Sequence, residues 1–337
     1  MGITIKDLAE LANVSKGTVS RVINRAPGVS EETRKRILKL IKELDYQPNI
    51  SAQGLAAKRS YNIGIIIPHT GNYSMSSSYW PTLLTAVNEQ AIMRGYNLLL
   101  STARSENDVE SAYKMILKGR RVDGLIIGAD QFGERQLAEL VVKDFPFVLV
   151  GKAPHHSYYY VDVDNRGGAE QMTEYLIKQG HRNIVFLAGP QKYPYVQDRV
   201  KGYKQAMTEA GLSRVQVFYC VYDIREAKEK SKEILRAEPE TTAIFGASPE
   251  LVWGVIKAAQ EERINIPNDL TLVSFDDHPL YEVFSPEITV VNQPIHELGK
   301  LAVEQLFTIM KGKIPKENRI ILPTEIIVRG SCRATGQ

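Results

Sequence analysis

The chain has 337 residues, 43% of them apolar and 24% charged. That suffices for two or three globular domains with a substantial core, and no apolar run approaches the ~20 residues that a membrane span needs. The formal net charge of +3 is unevenly placed: residues 1–60 hold eleven Lys/Arg against six Asp/Glu, and the rest holds 31 against 33, so the basic excess that suits a polyanion partner lies wholly at the N-terminal end.

Thr4, with Asp7 three residues on, predicts a capping box that opens a helix, with Ile5, Leu8, Ala9 and Ala12 on its inner face. Asn13 ends that helix and Ser15 caps a second. The second carries Val19, Val22 and Ile23 on one side and Lys16, Gly17, Ser20 and Arg21 on the other. Two short amphipathic helices joined by a turn, the second with a polar-basic outer face, predict a helix-turn-helix whose outer face enters a DNA major groove. The pattern alone leaves open a plain helix pair with Lys16 and Arg21 as solvated surface. Ser30 caps a third helix, with Glu31 and Glu32 in the turn where the dipole favours acids and a stripe of Ile37, Leu38, Ile41 and Leu44; Pro48 stops it. Residues 49–60, N-I-S-A-Q-G-L-A-A-K-R-S, are too few for a stable isolated helix. They read as a linker that is helical only when something stabilises it.

From Asn62 the pattern becomes an alternation of strands and helices. Strands are expected at 63–68, 96–102, 122–128, 147–151, 159–163, 184–188, 215–221, 243–246, 270–275 and 320–327, with helices at 80–94, 169–178, 196–210, 251–261 and 295–310 among the segments between. Near-continuous apolar strands alternating with helices mean parallel sheets covered on both faces. The remaining 277 residues exceed one open sheet, so two α/β lobes are expected, with V-D-V-D-N-R-G-G near Asp162 as a crossover. No G-x-G-x-x-G or Walker loop supplies a nucleotide signature. Two cysteines without local spacing, Cys220 and Cys332, and an N-terminus without a signal-peptide pattern point to a reduced cytoplasm. The six histidines are scattered, and His155-His156 lack the i, i+4 spacing of helical ligands, so neither a metal nor another cofactor is expected.

The run A-x-x-A-x-V-S-x-x-T-V-S-R-V-I-N over residues 9–24 closely resembles the headpiece of the lac repressor family of bacterial transcription regulators. The motifs R-V-D-G-L-I-I, V-D-V-D-N, G-H-R-N-I-V-F-L, D-R-V-K-G-Y-K-Q-A-M and S-F-D-D-H-P-L resemble its periplasmic-binding-protein-like effector domain. The resemblance implies an all-α helix-turn-helix headpiece (1–48), a hinge helix (49–60), and a two-lobed α/β effector domain (61–330). The first lobe would be about 61–161 plus 292–323, and the second about 162–291 plus 324–330. It also implies DNA contacts from Thr4, Ser15, Lys16, Gly17, Thr18, Ser20, Arg21, Asn24 and Asn49, with Arg21 as the base reader and Thr18 at the phosphates. In the hinge, Ala52 matches an alanine facing the minor-groove floor, Leu55 the leucine wedged into the central base step, and Gln53 stands where many relatives have arginine.

For the effector domain, Arg199 matches the arginine and Asp276 the aspartate that meet ligand hydroxyls in sugar-responsive relatives. A guanidinium and a carboxylate facing one cleft suit a polyol. The alternative is that they only pair with each other. Tyr79 and Trp80 could stack on a pyranose, with a core role as the alternative for Trp80. Ser248-Pro249 replaces a frequent Asn-Asp, and Gly151-Lys152 a frequent Asp-Arg; Lys152 becomes a candidate ligand donor, and Gly-Lys here resembles the maltose-responsive branch. The reading is a cytoplasmic, homodimeric regulator, a repressor of a carbohydrate-utilisation operon, which binds pseudo-palindromic operator DNA and a small sugar. Residues 330–337 show no leucine heptad for tetramerisation. The competing classes are a solute-binding transport protein, which shares the two-lobed fold, and an enzyme acting in the cleft, for which no nucleophile–base pair or metal spacing speaks.

Overall fold

In the computed structural model the described residues are 3–23, 26–46, 59–67, 77–102, 119–129, 133–153, 155 and 157–335. The chain divides into two units, Met1–Tyr61 and Asn62–Gln337. In the first unit, helices α1 (Ile5–Leu11), α2 (Lys16–Ile23) and α3 (Glu31–Glu43) enclose a small core of Leu8, Ala9, Ala12, Val19, Val22, Ile37 and Tyr46. The helix boundaries follow from local chemistry. Thr4 and Asp7 form the reciprocal capping box, Asn13 adopts a left-handed φ of 49° after α1, and the Ser15 and Ser30 hydroxyls accept from the backbone N–H of Thr18 (3.1 Å) and Thr33 (3.3 Å). One expected core residue is misplaced: Leu38 is 48% exposed, and Leu40 packs on the core instead. Neighbouring apolar residues at 37, 38, 40 and 41 leave the stripe ambiguous in sequence, and packing against α1 and α2 decides it.

The second unit holds two six-stranded sheets. The first contains β1 (Asn62–Ile67), β2 (Asn97–Thr102), β3 (Gly124–Gly128), β4 (Phe147–Val150), β5 (Tyr160–Val163) and β11 (Arg319–Leu322), in the order β11-β5-β4-β3-β1-β2, all parallel. The second contains β6 (Ile184–Ala188), β7 (Gln216–Tyr219), β8 (Ala243–Gly246), β9 (Thr271–Phe275), β10 (Thr289–Asn292) and β12 (Glu325–Ile327), in the order β12-β10-β9-β8-β6-β7. Here only β12 runs antiparallel. The α-helices among the described residues of this unit are α4 (Tyr79–Ile92), α5 (Glu134–Val142), α6 (Asn165–Lys178), α7 (Pro194–Glu209), α8 (Ile224–Ala237), α9 (Pro249–Glu261) and α10 (Ile295–Met310).

Three passages of chain join the lobes: after Val163, after Asn292, and between Leu322 and Glu325. β5 belongs whole to the first sheet, so the first passage follows Val163, two residues beyond the expected break at 161/162. The expected single strand 320–327 is two strands in two sheets, because Pro323 has no N–H to continue the ladder. β10 was not foreseen; its run Thr289-Val290-Val291 is β-branched but only a few residues long. α6 starts at Asn165, four residues before the expectation, because the Asp164 carboxylate caps the Gly167 N–H at 2.8 Å. α6 and α7 pack so closely that a Cβ on Gly202 would run into the Arg166 carbonyl and lie 2.9 Å from the Glu170 nitrogen. No described helix is long and apolar enough to cross a membrane.

Candidate functional site

The headpiece presents its chemistry on one side of α2. Val19 and Val22 are buried against α1 and α3, which leaves Lys16, Gly17 and Arg21 exposed and Thr18 and Ser20 half-buried. Ser15 and Thr18 share a hydroxyl contact of 2.9 Å at the helix start, in addition to the cap. Thr4 is likewise engaged: its N–H and hydroxyl both donate to the Asp7 carboxylate at 2.8 Å. Those hydrogen bonds hold the exposed Asp7 carboxyl below its usual range. Thr4 and Ser15 therefore serve helix ends first. A Cβ on Gly17 would meet only Ser15 Oγ, at an ordinary 3.6 Å, so nothing described in the headpiece requires glycine there. Asn24, Asn49, Ala52, Gln53 and Leu55 lie outside the described residues.

In the second unit, the C-terminal ends of strands from both sheets converge on a cavity of about 150 Å³. Open α/β sheets place ligands at this position. All six residues singled out from the sequence, Tyr79, Trp80, Lys152, Arg199, Ser248 and Asp276, line it. Trp80 is 9% exposed and meets Tyr79 edge-on with ring centroids 5.3 Å apart, so it is both a buried residue and a wall.

Arg199 is the hub. It is 4% exposed; its Nε donates to Asn165 Oδ1 (2.9 Å), its Nη1 to the Ala247 carbonyl (2.7 Å), and its Nη2 lies 3.6 Å from Asp276 Oδ1. Its guanidinium also lies over the Phe275 ring, 3.5 Å from the centroid. Asp276 is held as firmly. It occupies a left-handed φ of 70°, its N–H donates to the Val291 carbonyl (2.9 Å), and Gln293 Nε2 donates to its Oδ1. A non-glycine residue held in that conformation stores strain, and such residues gather at binding sites. The ion pair and the cavity-lining position thus coexist.

Asp162, Asn165, Tyr195, Glu250 and Gln293 also line the cavity and were not assigned from sequence. Asp162 ends up buried in β5, where Val163 N–H donates to its Oδ1 at 2.8 Å; burial nevertheless pushes its carboxyl from 3.8 up to about 6. Glu250, in the first turn of α9, is raised by burial too. Among the described residues, bonds between the lobes at the cleft include Lys152 Nζ to Asp198 Oδ2 (2.6 Å), Ser78 Oγ to the Asp277 carbonyl (2.7 Å) and, beside the crossover, Asn165 Nδ2 to Asp162 Oδ1 (3.3 Å). Away from the cleft, Glu170, Glu174 and Glu209 cluster on the α6–α7 surface, with no histidine or cysteine among them.

Comparison with known proteins fits both halves. Residues 4–49 match the family "Bacterial regulatory proteins, lacI family", and residues 173–332 match a "Periplasmic binding protein-like domain". The catabolite control protein A of Priestia megaterium is 34% identical over 338 residues, spanning 99% of this chain and 100% of its own. The chain belongs to the lacI family of bacterial regulatory proteins. It is a DNA-binding transcription regulator and not an enzyme, and the transport reading falls with that assignment. Among other members, the ribose operon repressor of Halalkalibacterium halodurans is 33% identical over 97% of this chain and 96% of its own. A solved complex of the regulator CelR with cellobiose superposes on this lacI-family chain with a TM-score of 0.75 at 29% identity, covering 98% and 99% of the two chains. The lac repressor dimer bound to operator and the anti-inducer ONPF shares the fold at a TM-score of 0.87 and 24% identity, over 99% and 100%.

Proposed function

We propose that this lacI-family regulator is a cytoplasmic, dimeric repressor of a carbohydrate-utilisation operon, and that a small sugar bound between the effector lobes sets its affinity for a pseudo-palindromic operator. The observation that carries the reading is the convergence of Arg199, Asp276, Lys152, Ser248, Tyr79 and Trp80 on one cavity at the strand ends. Guanidinium, carboxylate and hydroxyl groups beside aromatic walls suit a ligand with polar edges and an apolar face, which is the surface of a pyranose. Relatives described as a ribose operon repressor, as a CelR–cellobiose complex and as an operator-bound dimer support it. On the headpiece, Lys16, Gly17, Thr18, Ser20 and Arg21 form the reading face, with Arg21 the direct base reader. In the hinge, which pairs with that of the partner subunit in the minor groove, Leu55 is the wedge and Ala52 faces the groove floor, Asn49 caps the helix at the DNA, and Gln53 in place of arginine makes one phosphate or groove contact fewer.

The test is a thermal-shift panel of mono- and oligosaccharides on the full-length protein. A sugar at 100 times its Kd stabilises the effector unit by ~2.7 kcal/mol. The active sugar is expected to lose that effect with Asp276→Ala. A panel without any shift removes the sugar from the proposal.

A further inference from the structure

We infer that Asn165 is the positioning residue for Arg199: its amide oxygen fixes the guanidinium in the cleft for the effector, while its amide nitrogen stays bonded within the chain. This rests on the sugar reading of the same cleft and deepens it. A guanidinium carries its N–H groups in one plane, and each bond to the protein removes a way for that plane to turn. Arg199 Nε donates to Asn165 Oδ1 at 2.9 Å, and Nη1 donates to the Ala247 carbonyl at 2.7 Å. The Phe275 ring covers one face, with its centroid 3.5 Å away. Among the described residues Nη2 makes no hydrogen bond; it stands 3.6 Å from Asp276 Oδ1, and both residues line the cavity. Two bonds and a ring thus hold the plane and leave Nη2 as the group that meets a ligand hydroxyl.

Asn165 suits this role by place and by type. It is the first residue of α6, it is buried, and it lines the cavity. The Asp164 cap fixes where that helix starts, and the contact of Gly202 with the Arg166 carbonyl sets α6 against α7. Gly202 lies three residues after Arg199, and Arg166 one residue after Asn165, so the same close approach brings the two side chains together. Asn165 Nδ2 donates to Asp162 Oδ1 and to the Val163 carbonyl, each at 3.3 Å. Those acceptors turn the amide nitrogen inward and its oxygen to Arg199, so Asn165 acts on a ligand through the arginine. An arginine held in this way is ordered before the ligand arrives, which removes an ordering cost from binding. Without an acceptor at position 165, Nε becomes a buried donor lacking a partner, and the guanidinium turns away from the ligand to find one.

Titration calorimetry on the full-length protein tests this with ribose, cellobiose, maltose and every other sugar of the panel that raises the melting temperature. Asn165→Ala and Asn165→Asp, each first shown to be folded by its urea unfolding curve, are compared with the parent. Should the alanine variant lack a cooperative transition, Asn165→Leu, which also brings no acceptor, takes its place. Loss of the acceptor should weaken sugar binding roughly tenfold, the scale of a lost hydrogen bond to a charged group. The aspartate variant gives up the bonds to Asp162 and the Val163 carbonyl but keeps an acceptor for Nε, so it should bind the sugar at least about threefold tighter than the alanine variant. A role confined to packing or to satisfying Asp162 predicts the reverse order, because aspartate sets one buried carboxylate against another. An alanine variant of parental sugar affinity, or an aspartate variant that binds no better than the alanine one, overturns the inference and leaves the sugar reading intact. If no sugar binds the parent protein, the sugar reading itself is lost, and this inference with it.

Discussion

Two residues stand out because their neighbours do not explain them. Gly17 lies in a helix that has room for a methyl, and glycine there costs stability relative to alanine. On the proposed DNA-reading face shared with Lys16 and Arg21, a glycine leaves its base position to be read loosely or by a close approach of the backbone, and the second of these is testable. Gly17→Ala should stabilise the headpiece by up to about 1 kcal/mol in thermal unfolding and weaken binding to the selected operator. An alanine variant that binds that operator as well as the parent would remove the close-approach role. Asp162 is the second. Its carboxyl titrates near 6 when folded against 3.8 ordinarily, so the folded state binds that proton more tightly than the unfolded chain does. Stability therefore rises as pH falls through 6 towards 4, and above 6 the ionised, buried group carries its full cost. Asp162→Asn keeps the acceptor for the Val163 N–H and should gain ~1–3 kcal/mol at pH 8, with most of that gain gone near pH 4. Urea unfolding of both proteins at the two pH values reads it directly. Asp162 was visible in the motif V-D-V-D-N, but its burial at the cleft depends on which strand ends meet across a hundred residues, and no local pattern carries that. Asp276 was legible as the residue directly after an apolar strand, and Arg199, inside a helix, only through the resemblance of the motif around it to the family's.

Elements were legible wherever a long period met a clear stop. The helix-turn-helix followed from its caps, and the two lobes from alternating apolar strands and amphipathic helices. Errors fell where a short feature outweighed the period. Pro323 splits one apolar run between two sheets, a few residues at 289–292 form an interior strand of the second sheet, and Asp164 starts α6 a full turn early. The α6–α7 pair shows why V-K-G-Y needs its glycine: only a residue without Cβ lets α7 lie on the Arg166 carbonyl. Gly202→Ala should cost the effector unit ~1–3 kcal/mol by overpacking, measured as a lower denaturation midpoint at unchanged slope. Arg166 lies one residue from Asn165, which holds Arg199, so the same variant should also weaken sugar binding. A variant of parental stability would show that the helix pair can part without loss.

At the scale of the whole molecule, the proposed effector would act on an equilibrium between lobe arrangements. Two bonds, Lys152–Asp198 and Ser78–Asp277, link the lobes. A sugar can shift that balance only by the difference in its affinity for the two arrangements. The chain enters the first lobe through β1 directly after the linker, so a rotation of that lobe moves the attachment of the hinge segment. Linkage then requires operator DNA to change sugar affinity by the factor by which sugar changes operator affinity. The headpiece carries the basic excess, so operator affinity should fall steeply with salt, whereas sugar affinity should not. The most direct measurement is an operator titration of wild type and Asp276→Ala, each with and without the sugar found in the panel. The account predicts equal operator affinity for both proteins without sugar, a shift of fivefold or more with sugar in the wild type, and no shift in the variant. A variant that responds to the sugar as the wild type does, or that loses operator binding outright, would contradict it.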